Sequence, residues 1–107
     1  MSEEINKIKE KLEWLLPEES QKRVTMKGND YLIVYADIHK MGCREAGNFV
    51  SNLIALIRKN FTLRIVHGFN GGTALKEMFQ NRYENNRILD VESPDNNPGI
   101  TDFIVAE

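Results

Sequence analysis

The chain has 107 residues and is 41% hydrophobic, which suffices for the core of one domain but not of two. Its net charge of −2 excludes attraction to nucleic acid through overall charge alone, and its single cysteine excludes an internal disulfide and a thiolate-rich zinc site. The longest apolar run is too short to cross a bilayer, and the first residues lack the apolar segment of a secretory signal. We therefore expect a cytoplasmic domain that does not contact a membrane.

Residues 1–30 are predicted to form a helix and a linker. Apolar residues recur there at helical spacing, so we expect an amphipathic helix over Ser2–Leu16 that stops before Pro17. The polar stretch that follows, Pro17–Asp30, ends in a Gly-Asn-Asp turn signal and is interpreted as a linker. Residues 1–30 are thus an expected N-terminal extension to a domain formed by residues 31–107.

Residues 31–107 alternate between strand and helix patterns. Tyr31–Ala36 is continuously apolar, as in a strand covered on both faces, and Gly42–Lys59 has a broad apolar stripe at helical spacing. The remaining elements are expected to be a strand, a helix and two further strands, at Thr62–Val66, Thr73–Tyr83, Arg87–Val91 and Ile100–Ala106. Strand–helix–strand runs favour parallel neighbours, and the last two strands, joined only by a loop, favour a hairpin. The prediction is an α/β (α+β) fold, a two-layer sandwich whose mixed four-stranded sheet has the order βαβαββ.

Polar side chains follow the first two of these predicted strands. Asp37 and His39 come directly after the first strand, and His67 follows the second. The carboxyl ends of parallel strands meet at one edge of a sheet, so we expect these three side chains to converge there. A histidine pair can supply a general base and a general acid near neutral pH, with Asp37 orienting His39. Chelation of a divalent ion by the same three residues is the weaker alternative.

A glycine-rich run leads from His67 into the next predicted helix. The backbone N–H groups of Gly68, Asn70, Gly71, Gly72 and Thr73 would favour a phosphate or carboxylate at a helix start. The run matches neither a P-loop nor the dinucleotide fingerprint, and a plain strand-to-helix turn is the alternative. Residues 31–85 hold seven basic and four acidic side chains, so this part of an acidic chain is basic. Its candidate phosphate-binding side chains are Lys40, Arg44 and Lys76.

These motifs resemble those of the Smr (small MutS-related) domain family. The family has an aspartate-x-histidine after its first strand, as in Asp37-Ile38-His39, and a His-Gly-x-Gly run, similar to His67-Gly68 with Gly71 and Gly72. Leu75-Lys76 and Pro98–Thr101 also look like later family positions. The chain departs from the pattern at Ala36 (usually leucine), at Lys40 (usually glycine) and at Phe69-Asn70 (usually a basic residue and a glycine). These departures bear on phosphate affinity more than on the fold.

The resemblance implies a nucleic-acid-binding domain, with nicking endonuclease (hydrolase) activity on DNA or RNA in some members. In that interpretation His39 is the general base, Asp37 orients it, and His67 protonates the leaving oxygen. No cofactor is specified, and Mg²⁺ or Mn²⁺ are the candidates to test. Two alternatives remain: a non-catalytic module that binds a protein partner through the Ser2–Leu16 helix, and a small-molecule enzyme that binds an anion at the same crevice.

Overall fold

The computed structural model describes residues 2–28, 31–68, 73–93 and 97–107, except for the side chains of Ser2, Glu4 and Thr73. Its helices are α1 (Ser2–Leu15), α2 (Glu18–Gln21), α3 (Cys43–Leu56) and α4 (Thr73–Glu77), the last continuing as a π-helical segment over Met78–Arg82. Its strands are β1 (Val24–Gly28), β2 (Leu32–Asp37), β3 (Phe61–Val66), β4 (Ile88–Glu92) and β5 (Ile100–Val105). No helix in these ranges is both long and apolar enough to span a membrane.

The strands form one mixed sheet in the order β1-β2-β3-β5-β4. Only β2 and β3 are parallel, joined by the α3 crossover, whereas β1–β2, β3–β5 and β4–β5 are antiparallel. The α/β class and the hairpin of the last two strands are confirmed. The predicted four-stranded sheet is wrong, because a fifth strand lies at its edge.

That fifth strand, β1, lies inside the stretch that we interpreted as a linker. Its alternation of apolar and polar residues is the pattern of an edge strand with one covered face. Val24 and Met26 pair with Ala36 and Val34 on the covered face, and Thr25 and Lys27 point to the opposite face. The alternation covers only four residues, Val24–Lys27, and charged residues flank it, so the sequence pattern did not predict a strand here. Residues 24–28 therefore belong to the sheet, and residues 18–21 of the same stretch form α2, so the interpretation of this stretch as a linker is wrong.

One face of the sheet carries the hydrophobic core. Alternate residues of β2 and β3, Val34 and Leu63 among them, are fully buried with Phe103 of β5. The helices add their apolar faces to the same cluster, through Ile8 and Leu12 of α1, five residues of α3, Leu75 of α4 and Phe79. Burial of such side chains stabilises the fold by about 1.5–3 kcal/mol each. The shared core fixes the carboxyl ends of β2 and β3 relative to each other.

Two α-helices end three or more residues before the position that the sequence predicted. The third helix ends at Leu56 rather than Lys59, because Ile57 turns to an extended conformation (φ −97°, ψ 100°) and is itself buried. The helix expected over Thr73–Tyr83 is α-helical only to Glu77. Its π-helical continuation ends where Tyr83 donates its backbone N–H to Met78 O at 2.7 Å.

Candidate functional site

The carboxyl ends of β2 and β3 lie side by side. Asp37 is in register with Val66, and the backbone N–H of Ile38 donates to Val66 O at 3.0 Å, which extends the pairing by one residue. Asp37, His39 and His67 therefore leave the sheet at the same edge. What each side chain can do there depends on its own contacts.

Asp37 and His39 form an exposed pair. Asp37 Oδ1 accepts a hydrogen bond from the ring Nδ1 of His39 and a second from the His39 backbone N–H at 3.2 Å. The two side chains are 44% and 49% exposed. Because a carboxylate only accepts, Nδ1 carries the proton, and Nε2 holds the lone pair of the neutral ring. Within the described residues Nε2 has no hydrogen-bond partner, and the half-exposed ring is accessible to solvent.

A tight turn presents His39 to solvent. The backbone N–H of Met41 donates to Ile38 O at 3.0 Å, and the buried side chain of Ile38 anchors the turn in the core. Lys40, third in this turn, has a positive φ of 69°. Glycine adopts such a φ at the lowest cost, and glycine is the residue that the resembled family has at this position. The turn therefore holds a lysine in a backbone conformation that glycine adopts at lower cost.

Arg23 supports this turn and was missed in the sequence analysis. Its Nη1 donates to the carbonyl oxygens of Asp37 at 3.1 Å and of His39 at 3.3 Å. Its own carbonyl accepts from the Asp37 N–H at 2.8 Å, so backbone and side chain both hold the turn. The alternating pattern of residues 24–28 could have indicated the role of Arg23, because it predicts an edge strand that begins directly after this residue.

His67 points into the protein. Its side chain is 1% exposed, Nδ1 donates to Gly68 O at 3.0 Å, and Nε2 accepts from the Thr101 hydroxyl at 2.9 Å. The Thr101 oxygen in turn accepts from Gln80 Nε2 at 3.0 Å. Burial lowers the pKa of His67, the hydrogen bond to the Gly68 carbonyl opposes this in part, and the nearby charge of Lys76 has a smaller lowering effect. The neutral ring therefore has both nitrogens occupied, and it braces the strand end.

Gly68 connects the two strand ends. It has a positive φ of 84°, and a Cβ on it would lie 3.7 Å from the Cβ of His39. The backbone N–H groups of His67 and Gly68 both donate to Gly99 O, at 3.0 and 3.1 Å. These hydrogen bonds fix the backbone of His67 and Gly68, against which the turn that carries His39 packs. The structure brings Asp37 and His39 into contact and gives His67 the supporting position.

The structure describes only some of the residues that were predicted to bind phosphate. Asn70, Gly71 and Gly72, with Phe69, lie outside the described residues, and of Thr73 only the backbone at the start of α4 is described. Lys40 and Arg44 are exposed beside the turn, and Lys76 is partly buried on α4.

The candidate metal ligands do not converge. Among the described residues, no three His, Cys, Asp or Glu side chains are grouped to hold a metal ion. The Asp37 oxygen that faces His39 is engaged by its ring, and both His67 nitrogens are engaged elsewhere. This set of donors does not fit Mg²⁺ or Mn²⁺, which need several oxygen ligands directed at one point.

Comparisons of the chain with known protein families, with characterised proteins and with solved structures gave no match.

Proposed function

We propose that this chain is an Smr-like domain that binds nucleic acid at the edge where β2 and β3 end and cleaves its phosphodiester bonds weakly. The observation that carries the proposal is the exposed Asp37–His39 pair, whose Nε2 is unpartnered within the described residues. The two sequence motifs that resemble the Smr family stand at the ends of neighbouring parallel strands, which supports the same conclusion. The resemblance also implies the two-layer form of the fold.

In the proposed reaction, His39 is the catalytic proton-transfer residue. Nε2 accepts the proton of the attacking hydroxyl, which is water or a ribose 2′-OH, as the new P–O bond forms and the old one breaks. The imidazolium can then return that proton to the leaving oxygen. Asp37 holds the ring and stabilises its charge. His67 is assigned a positioning role instead of the general-acid role that the sequence indicated, because both of its nitrogens are occupied inside the protein.

Few phosphates can be bound. The proposed contacts are the side chains of Lys40, Arg44 and Lys76 and the backbone N–H groups of Asn70, Gly71, Gly72 and Thr73. Gly68, also expected to bind phosphate, is left out because its N–H already donates to Gly99 O. Two to four neutralised phosphates would give a shallow salt dependence, with a slope of about 0.9 per contact on duplex DNA. Binding is therefore expected to be weak and to depend little on base sequence, because phosphate contacts carry no sequence information.

The test measures binding and cleavage of single-stranded, duplex and branched DNA and RNA at low salt, with and without Mg²⁺ or Mn²⁺. His39→Ala and His39→Gln should abolish cleavage and leave most of the binding, because the loss is one of proton transfer. Lys76→Glu should weaken binding to all sequences, whereas Lys11→Glu, an exposed change on α1, should not. Absence of binding to every one of these nucleic acids would refute the proposal.

A non-catalytic protein-binding module on the same fold is the second candidate. One observation favours it: Trp14 and Leu15, at the end of α1, are 88% and 62% exposed. Large exposed apolar side chains on a helix are typical of a contact surface. A Trp14→Ala variant that loses a cellular partner while nucleic-acid binding stays absent would favour this function. A cytoplasmic location suits either function and is proposed on the composition alone.

A further inference from the structure

The face of the sheet opposite the core presents its side chains in three rows. The register places Lys27, Ile33, Thr62, Ile104 and Asp90 in one row across the five strands, and Thr25, Tyr35, Arg64, Asp102 and Glu92 in the next. Asp37, Val66 and Ile100 form the third row, at the edge that carries the His39 turn. We call these residues the open face. Of these residues only Asp37 is shared with the Asp37–His39 pair.

The open face is more apolar than a solvated sheet face needs to be. Ile33, Val66, Ile100 and Ile104 lie on it, partly exposed, in the three central strands. A sheet with one solvated face ordinarily alternates apolar residues inward with polar residues outward. Isoleucine and valine on both faces of β2, β3 and β5 therefore indicate that this face is covered in the functional protein.

The charges on the open face are divided between its two sides. The β1 side carries Lys27, and the β4 side carries Asp90 and Glu92. Between them Arg64 and Asp102 neutralise each other through two hydrogen bonds of 2.9 Å. The first two rows thus have a positive side, an apolar and neutral centre, and a negative side. In the third row the carboxylate of Asp37 is paired with His39.

Nucleic acid does not fit this surface. The ring of Tyr35, its central aromatic group, already has Lys27 at 5.4 Å and Arg64 at 5.5 Å from its centroid, contributed by the strands on either side. Base stacking needs a free ring face, and phosphates would meet the carboxylates of Asp90 and Glu92. A partner that is itself negative on one side and positive on the other is needed, and this chain has that distribution.

We propose that the open face binds the open face of a second copy of this chain, with the two-fold axis parallel to β3. Rotation about that axis lays β1 of one copy over β4 of the other and keeps each row opposite itself. Lys27 then faces Asp90 of the partner copy, and Ile33 faces Ile104 of the partner copy. Because the contact is isologous, each such pair occurs twice.

The charge pattern selects this axis over the other in-plane choice. A two-fold axis perpendicular to the strands would place β1 over β1 and β4 over β4. Glu92 would then face Glu92 of the partner copy, and the basic side would face itself. Like charges across a buried surface are disfavoured. The axis along the strands brings Arg64 opposite Arg64 of the partner copy, but each of these is neutralised by Asp102 of its own copy, whereas Glu92 has no such partner on the open face. The axis along the strands is therefore the more complementary one.

The dimer is expected to be weak. Five strands about 4.8 Å apart, each with about five residues at about 3.4 Å, give a flat area of roughly 400 Å² per copy. Twice that area falls below the standard interface of about 1,600 Å² and within the range of transient contacts. The chosen axis also brings both Asp37–His39 pairs to the same end of the dimer.

Charge-reversal variants of the full chain test the arrangement by sedimentation or light scattering over a concentration series. Lys27→Glu alone and Asp90→Lys alone should each weaken dimerisation by about tenfold or more, because each creates two like-charge contacts. An equimolar mixture of the two variants should recover it, since both kinds of contact are attractive in the mixed dimer. Lys11→Glu on α1, on the other side of the sheet, is the matched control and should change nothing.

Each outcome decides the proposal. Recovery in the mixture supports this axis, and failure to recover refutes it even when the single variants weaken the dimer. A wild-type chain that stays monomeric up to about 1 mM, well above the range expected for a transient interface, also refutes it. Circular dichroism of each variant checks that the fold is retained. Failure of the dimer would leave the proposed nuclease function untouched, because that function is tested by cleavage at His39.

Discussion

The hydrogen-bonded chain behind His67 leads to a prediction about Thr101. Thr101 is fully buried, its hydroxyl donates to His67 Nε2, and its oxygen accepts from Gln80 Nε2. Thr101→Val keeps almost the same volume and removes only the hydroxyl. His67 Nε2 is then left buried without a partner, whereas Gln80 keeps its bond of 3.1 Å to Ser93.

An unsatisfied buried polar atom costs about 1–3 kcal/mol of the free energy of unfolding. In a domain of about 100 residues each kcal/mol lowers the melting temperature by about 4 °C, so Thr101→Val should lower it by about 4–12 °C. Urea unfolding followed by circular dichroism at about pH 7.5 gives the free energy, and an unchanged m value would show that the compactness of both states is kept.

The matched control is Thr62→Val, the same change on the opposite face of the sheet. The Thr62 hydroxyl pairs with Tyr31 Oη at 2.6 Å, but Tyr31 is 47% exposed and can bond to water instead. This variant should lose less than about 1 kcal/mol. Equal losses for the two variants, or no loss for Thr101→Val, would refute the assignment of His67 as a buried, fully hydrogen-bonded support.

Three further predictions concern stability, each measured by urea unfolding. Burial holds the pKa of His67 below its ordinary value of 6.5, so the unfolded state takes up a proton more readily. The contribution of His67 to the free energy of unfolding should therefore be constant above about pH 6.5 and should decrease as the pH falls below it. His67→Gln should make this decrease less steep. The same pH dependence in the wild type and in His67→Gln would contradict the prediction. The guanidinium of Arg87 donates to four backbone carbonyl oxygens, those of Ile54, Ile57, Lys59 and Ala106. Arg87→Ala should therefore lower the free energy of unfolding by about 1.5–3 kcal/mol. Arg87→Lys should recover less than half of this loss, because an ammonium group cannot reproduce the planar set of donors. Gly47→Ala should add about 0.5–1 kcal/mol, because a Cβ fits inside α3 at 3.9 Å from its nearest neighbours, and a loss would show that α3 cannot accept it.

The periodicity of the sequence predicted most of the secondary structure. Apolar residues at period 3.6 marked α1 and α3, and the apolar run before Asp37 marked β2, because each of these elements buries enough side chains to leave a clear pattern. The short loops between strand and helix then implied the parallel pairing of β2 with β3. From that pairing alone, Asp37, His39 and His67 were expected at one edge of the sheet.

The fifth strand could not be predicted in the same way. β1 has five residues, of which only Val24 and Met26 face the core, and its stability comes from pairing with β2 rather than from its own composition. Arg23 was missed for the same reason, because its contacts with the Asp37 and His39 carbonyls exist only when β1 lies beside β2.

The sequence by itself determined which residues reach the sheet edge, because the order of strands along the chain fixes where each strand ends. Only the tertiary structure decided which of the two histidines faces solvent. His39 and His67 have the same intrinsic chemistry, but the turn at Lys40 carries His39 outward, and the Thr101 hydroxyl on β5 holds His67 inward. That partner is 34 residues away along the chain, and hydrogen bonds between such distant residues leave no local pattern.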